Sequence, residues 1–111
     1  MNIAQIAKMA QQMQTQMAKT QEELRDTVLE ATAGGGAVRV VITGAQEVRA
    51  IEIDPSAVDP DEVEMLQDLV LAAVNDAIGR AKDLERERMA SVAGGMGLPG
   101  MPGPMIPPPI R

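Results

Sequence analysis

The sequence contains no aromatic residue, since Phe, Trp and Tyr are all absent from its 111 residues. A domain of this length normally fills its core with aromatic and branched aliphatic side chains. Here the core must come from Ile, Leu, Val, Ala and nine Met, and Met specifies packing weakly because its side chain is flexible. We therefore expect a second copy of the chain to supply the missing buried area, which predicts a homodimer.

Cysteine and histidine are absent as well. Their absence excludes disulfides, thiolate nucleophiles, His-based acid–base catalysis and most transition-metal sites. Carboxylates are the remaining catalytic candidates, and four of them cluster at Asp59, Asp61, Glu62 and Glu64. Their position at a predicted helix start indicates capping and interaction with the helix dipole. We predict a protein that is not an enzyme and has no cofactor, metal or small-molecule substrate.

Long apolar runs are also missing from the sequence. No segment is long enough to span a bilayer, and the first residues lack the basic and then apolar pattern of a secretory signal. We therefore expect a cytoplasmic protein with no membrane partner. The net charge of -6 agrees with this expectation, because on average it repels anionic membranes and also DNA phosphates.

The charge is distributed unevenly along the chain. Residues 55–76 carry six carboxylates and no cation, whereas residues 77–111 are locally basic. The cations that we single out as candidate phosphate-binding residues are Lys8, Lys19, Arg25, Arg80, Lys82, Arg86 and Arg88. A solvated surface with intrahelical ion pairs also explains them, and the charges alone favour that interpretation. Dimerisation favours phosphate binding, because it doubles every contact on one rigid particle.

Two segments carry the spacing of amphipathic helices. Apolar residues recur every three or four positions from Ile3 to Leu24, which predicts a helix at about residues 2–26. The second helix is predicted to start at Asp59, with Pro60 in the first helical position and Glu62 completing a capping box. Its apolar stripe covers about 30 residues, or roughly 45 Å. One small sheet cannot cover that length, which again favours a dimer.

Alternating apolar residues predict two strands, over residues 38–43 and 48–53, and the short Gly-containing connection between them predicts a β-hairpin. The three glycines Gly34, Gly35 and Gly36 favour a turn. Residues 27–33 contain β-branched side chains and fit either a continued helix or a third strand. The pattern alone leaves both alternatives open.

The composition changes after about Met89, where Gly, Met and Pro dominate. Proline disfavours helix and glycine raises the chain entropy. We predict one dimerising domain over residues 1–89 and a disordered tail over residues 90–111. An alternative function is a protein-binding adaptor that uses this tail and the Met-rich first helix, with Met9, Met13 and Met17.

Residues 34–58 (GGGAVRVVITGAQEVRAIEIDPSAV) and 61–82 (DEVEMLQDLVLAAVNDAIGRAK) closely resemble the YbaB/EbfC family of bacterial nucleoid-associated proteins. The resemblance includes the Gly-rich turn, the V-x-V-x-I-x-G strand, the E-I-D-P strand end and the D-L-V-x-A-A-x-N-D-A helix. A Gln/Met-rich first helix and a Gly/Met/Pro tail fit as well, so nearly the whole chain is covered.

The resemblance implies an α+β fold of a long helix, a three-stranded antiparallel sheet and a long helix, which makes residues 27–33 a strand. It also implies an intertwined homodimer with projecting helical arms. The implied function is binding of double-stranded DNA in the nucleoid with little sequence specificity. Through this binding the protein would affect nucleoid organisation, gene expression or DNA repair, and it would act together with recombination or replication proteins. Because the shared motifs are structural, the seven candidate cations remain inferences from charge.

Overall fold

The computed structural model describes residues 2–95. Its elements are helix α1 (Ile3–Asp26), strands β1 (Val28–Ala33), β2 (Val38–Thr43) and β3 (Val48–Ile53), and helix α2 (Val63–Gly95). The strands form one antiparallel sheet in the order β1-β2-β3. This is the predicted α+β architecture. Most of the tail predicted over residues 90–111, from residue 96 onward, lies outside the described residues.

The first helix has a capping box that includes Asn2. The Gln5 backbone N–H donates to Asn2 Oδ1 at 2.8 Å, and Gln5 Oε1 accepts from the Asn2 backbone N–H at 3.4 Å. At the other end Thr27 is extended, with φ -86° and ψ 125°. Its β-branched side chain disfavours further helix, and the next six residues pair with β2. Pairing with β2 thus selects the strand alternative for residues 28–33.

The two hairpin turns use different means to reverse the chain. Gly34, Gly35 and Gly36 all have positive φ, at 65°, 67° and 98°, a region that glycine adopts without a Cβ penalty. The second turn places Gln46 at φ 65°, and the Thr43 hydroxyl accepts the Glu47 backbone N–H at 3.2 Å. Both predicted turns are therefore present.

The second helix begins later than its sequence signals indicate. Residues Pro60–Glu62 form a 3-10 turn, and the α-helix starts at Val63. The Asp59 carboxylate accepts from the Asp61 backbone N–H at 3.0 Å, instead of from Glu62 as the capping box predicts. The tighter winding of a 3-10 turn accounts for this difference, because it brings an earlier amide to the capping oxygen.

The core lies between α2 and one face of β1 and β2. Its buried apolar residues are Ala31, Val38, Val40 and Ile42 from the strands and Ala73, Ala77 and Ala81 from the helix. The three helical alanines repeat every four residues, so they lie on one face. Their small side chains allow the helix backbone to approach the sheet closely. The fully buried core is therefore small.

Beyond the sheet, α2 continues beside α1. Its 33 residues extend about 50 Å, and the molecule measures 69 × 34 × 16 Å. We call α1 together with residues 82–95 the arm, and residues 27–81 the body. None of the helices within residues 2–95 combines the length and apolarity needed to cross a bilayer.

The arm joins the body at Gly44. A Cβ added there would lie 2.9 Å from both the carbonyl oxygen and Cδ2 of Leu24, and 3.2 Å from Leu84 Cδ2. We therefore expect Gly44→Ala to lower the free energy of unfolding by about 1–3 kcal/mol, because backbone must move. The matched change is Gly79→Ala, whose Cβ would lie more than 4 Å from every heavy atom of the described residues outside the adjoining helix backbone and its two chain neighbours. It should raise the free energy by about 0.5–1 kcal/mol through helix propensity.

Urea denaturation followed by circular dichroism, at one protein concentration, measures both changes. A Gly44→Ala variant that is as stable as the unmodified chain would contradict the close packing at Gly44.

Candidate nucleic-acid interface

The fold gathers most of the seven candidate cations on the arm. Three lie along α1, namely Lys8, Lys19 and Arg25, and three lie on the extension of α2, namely Lys82, Arg86 and Arg88. Arg80 lies at the end of the body. All of these side chains are exposed except that of Arg88, which is half-buried. The fold therefore places cations that are far apart in the sequence on the two helices of the arm.

The α2 cations stand beside carboxylates. Arg80 Nε lies 3.1 Å from Asp76 Oδ2, and Arg86 Nη1 lies 3.2 Å from Asp83 Oδ1. Arg88 Nη1 reaches across to α1, where it lies 3.8 Å from Glu23 Oε2. Exposed ion pairs contribute only about 0–1 kcal/mol each, so phosphate can displace them. The carboxylates nevertheless remain next to any phosphate that binds there and repel it.

The α1 cations have a different environment. Among residues 2–95, the ion pairs within 4.0 Å do not include Lys8, Lys19, Arg25 or Lys82. Lys8 and Lys19 are eleven residues apart, which places them on nearly the same face of α1 and about 16 Å apart along its axis. Lys8 therefore presents its charge far from any carboxylate of α1, whereas Lys19 lies three and four residues before Glu22 and Glu23.

Polar uncharged side chains fill the surface between these two lysines. A shallow depression of about 430 Å³ is lined by Lys8, Gln11, Gln12, Thr15 and Gln16. Amide and hydroxyl groups hydrogen-bond phosphate and sugar oxygens in DNA complexes. The four uncharged residues are not among the candidates predicted from charge. The signal that identifies them is the absence of any Asp or Glu between residues 3 and 21.

The charge changes along the long axis of the molecule. The body carries ten acidic and three basic residues, a net charge of -7, whereas the arm carries six of each. Residues 3–21, which form most of α1, carry two lysines and no acid. Phosphate is therefore repelled by the body and attracted toward the outer part of the arm.

The body's own cations are all engaged by carboxylates. Arg39 donates from its two terminal nitrogens to Glu30 and Glu52, across all three strands. This hydrogen bonding lowers the pKa of Glu30 and raises the pKa of Arg39. Arg49 pairs with Glu47 at 2.9 Å, and Arg80 with Asp76. The body thus offers phosphate no unpaired cation among its described residues.

Strand β3 has apolar side chains that are exposed to solvent. Ile51 pairs with Val40 and Ile53 pairs with Val38 in the antiparallel register, so both side chains lie on the core face of the sheet. They are nevertheless 47% and 38% exposed, and Val48 is 41% exposed, because α2 covers β1 and β2 instead. We call Val48, Ile51 and Ile53 the β3 row. It extends the core face of the sheet into solvent.

Comparison with known proteins agrees with this architecture. Residues 1–96 match the model of the YbaB/EbfC DNA-binding family. A nucleoid-associated protein of Chloroflexus aurantiacus is 56% identical over 96 residues, covering 86% of this chain and 96% of that protein. A nucleoid-associated protein of Acetivibrio thermocellus is 50% identical over 102 residues, covering 92% and 88%. The crystal structure of an uncharacterized Helicobacter pylori protein, HP0035, shares the fold with a TM-score of 0.78 at 23% identity, covering 85% of this chain and 99% of that one.

Proposed function

The chain belongs to the YbaB/EbfC DNA-binding family, a family of nucleoid-associated proteins that are not enzymes, and from this premise we propose that it binds duplex DNA as a homodimer with little sequence preference. The observation that carries the proposal is the contrast between the arm and the body. Residues 3–21 of the arm carry two lysines and no carboxylate, whereas the body has a net charge of -7. Contacts between cations and phosphates carry no sequence information, which accounts for weak specificity.

The homodimer is supported by the open β3 row. Its three side chains continue the core face of the sheet, and burying them against a second copy stabilises the dimer by about 25 cal/mol for each Å² of apolar area covered. On the helical side of the core, one copy buries only three alanines fully. The larger α2 side chains that pack against the core are only partly buried, namely Leu66, Leu69, Val70, Val74 and Ile78. Exposed apolar side chains on α2, including Met65 at 59% and Leu71 at 60%, offer a second copy further apolar surface.

Dimerisation has a direct consequence for DNA binding. Each copy contributes one arm, so the dimer presents two sets of cations at a fixed separation. Once the first arm is bound, the second arm binds at a high effective concentration, and this raises the affinity without new kinds of contact. We infer that the protein acts on nucleoid organisation, and that effects on gene expression, DNA repair, recombination or replication follow from DNA occupancy.

Fluorescence anisotropy with several 30-base-pair duplexes of unrelated sequence tests the proposal. At about 50 mM salt we expect dissociation constants in the micromolar range or below, similar for all duplexes, as for other non-specific complexes. The affinity should fall steeply as salt is raised to 200 mM. Absence of binding at tens of micromolar dimer, or a preference above about 100-fold for one duplex, contradicts non-specific DNA binding.

A further inference from the structure

We propose that one face of α1 is the main DNA-contacting surface, and that neutral glutamine amides on it bind the sugar-phosphate backbone beside the two lysines. This inference rests on the proposed function and identifies the site within the arm. The residues of this surface, which we call the Gln face, are Lys8, Gln11, Gln12, Thr15, Gln16 and Lys19.

The geometry of α1 places these side chains together. Positions 8, 12, 15 and 19 follow the spacing of four, three and four residues, which aligns them on one side of a helix, and positions 11 and 16 flank them. All six side chains are exposed. The Thr15 hydroxyl donates to the Gln11 carbonyl oxygen at 3.0 Å, so the glutamine amides and the lysine ammonium groups are the donors that remain for a ligand.

The dimensions of the Gln face fit a DNA backbone. Its two lysines lie about 16 Å apart along the helix axis. Successive base pairs of duplex DNA rise about 3.4 Å, so the face spans about five base pairs. A helix laid along the backbone therefore meets several phosphates between its two lysines, and the glutamines occupy the positions from which amide donors reach them.

The absence of carboxylates distinguishes the Gln face from the α2 cations. A phosphate at Arg80 or Arg86 meets the carboxylate of Asp76 or Asp83 in the same contact, whereas α1 has no acidic residue before Glu22.

Amides and lysines also differ in their salt dependence. A lysine that binds phosphate releases counterions, so its contribution falls as salt rises, whereas a neutral amide adds affinity that depends little on salt.

These differences define an experiment on the full chain. We would measure the dissociation constant for a 30-base-pair duplex between 50 and 200 mM salt for four proteins. They are the unmodified chain, Lys8→Ala/Lys19→Ala, Gln12→Ala/Gln16→Ala and, for comparison, Arg80→Ala/Arg86→Ala. Alanine is a good helix former, so all variants should keep the circular dichroism signal and molar mass of the unmodified chain.

The expected results differ for each variant. Removing both lysines from each copy of the dimer should reduce the slope of log K against log salt by about 3.6, since each phosphate contact contributes about 0.9. Removing both glutamines should weaken binding about 3- to 10-fold at every salt concentration and leave the slope unchanged. Arg80→Ala/Arg86→Ala should lose less affinity than Lys8→Ala/Lys19→Ala, because phosphate must first displace the carboxylates that engage these two arginines.

The outcomes separate the two proposals. If the unmodified chain does not bind DNA, both the proposed function and the Gln face are overturned. If it binds and only the Arg80→Ala/Arg86→Ala variant loses affinity, DNA binding stands and the Gln face is overturned. If Gln12→Ala/Gln16→Ala binds like the unmodified chain at all salt concentrations, the contribution of the amides is overturned.

Discussion

Replacement of Ile51 by Glu is expected to dissociate the proposed homodimer and to weaken DNA binding at least about 100-fold, because the avidity of two linked arms is lost. Ile51 lies in the middle of the β3 row and is 47% exposed in one copy. If residue 51 is buried against a second copy, a glutamate at this position places an unpaired charge in an apolar environment, which is strongly unfavourable. Sedimentation equilibrium measures the molar mass, and anisotropy with a 30-base-pair duplex measures the affinity.

The matched control is Val28→Glu, which adds the same charge to the opposite face of the sheet. Val28 pairs with Thr43 on β2 and is 59% exposed, so this variant should remain dimeric. Dissociation of Val28→Glu but not of Ile51→Glu would place the interface on the other face. Because folding and dimerisation are linked, the milder Ile51→Ala provides a second measurement. It should raise the dimer dissociation constant while keeping the helical circular dichroism signal.

Replacement of Leu24 by Ala is expected to lower the free energy of unfolding by about 2–5 kcal/mol, the range found when a buried leucine is truncated. Leu24 is fully buried and packs at the junction where Gly44 and Leu84 meet the end of α1. The lost methyl groups leave a cavity there. Since this junction fixes the direction in which α1 leaves the body, DNA affinity should fall as well. Urea denaturation at a fixed protein concentration measures the stability.

Ile6→Ala serves as the control for Leu24→Ala on the same helix. Ile6 is 53% exposed, so its truncation should change the free energy of unfolding by less than about 0.5 kcal/mol. Equal effects at the two positions would show that Leu24 does not anchor the arm.

Both helices and two of the strands were predictable because their sequence patterns depend only on short-range spacing. The three-four spacing of apolar residues marks both helices, and the alternation in residues 38–43 and 48–53 marks two strands. Residues 28–33 have no such decisive pattern. Their strand is selected by six cross-strand pairs with β2, a partner that local spacing does not reveal. The family resemblance predicted this strand correctly.

The candidate site was predictable only in part, because charge in a sequence does not reveal a cation's neighbours. The ion pairs of Arg80 and Arg86 lie within one helix and follow from spacing. The pair between Arg88 and Glu23 joins residues 65 positions apart and exists because α1 packs beside α2. The proposed Gln face was not predicted because a search for cations passes over uncharged side chains, although the stretch without acids from residue 3 to residue 21 is visible in the sequence.

The sequence by itself determined the helices, two of the strands, the turn glycines and the absence of Cys, His and aromatic chemistry, since each depends on residue type or short-range spacing. Only the tertiary structure decided what those elements cover. Strands β2 and β3 have similar apolar alternation, yet Val40 is buried and its partner Ile51 is 47% exposed. The difference arises because α2 lies over β1 and β2 and leaves β3 uncovered. That placement is a property of packing between distant segments, and it creates both the open row and the projecting arm.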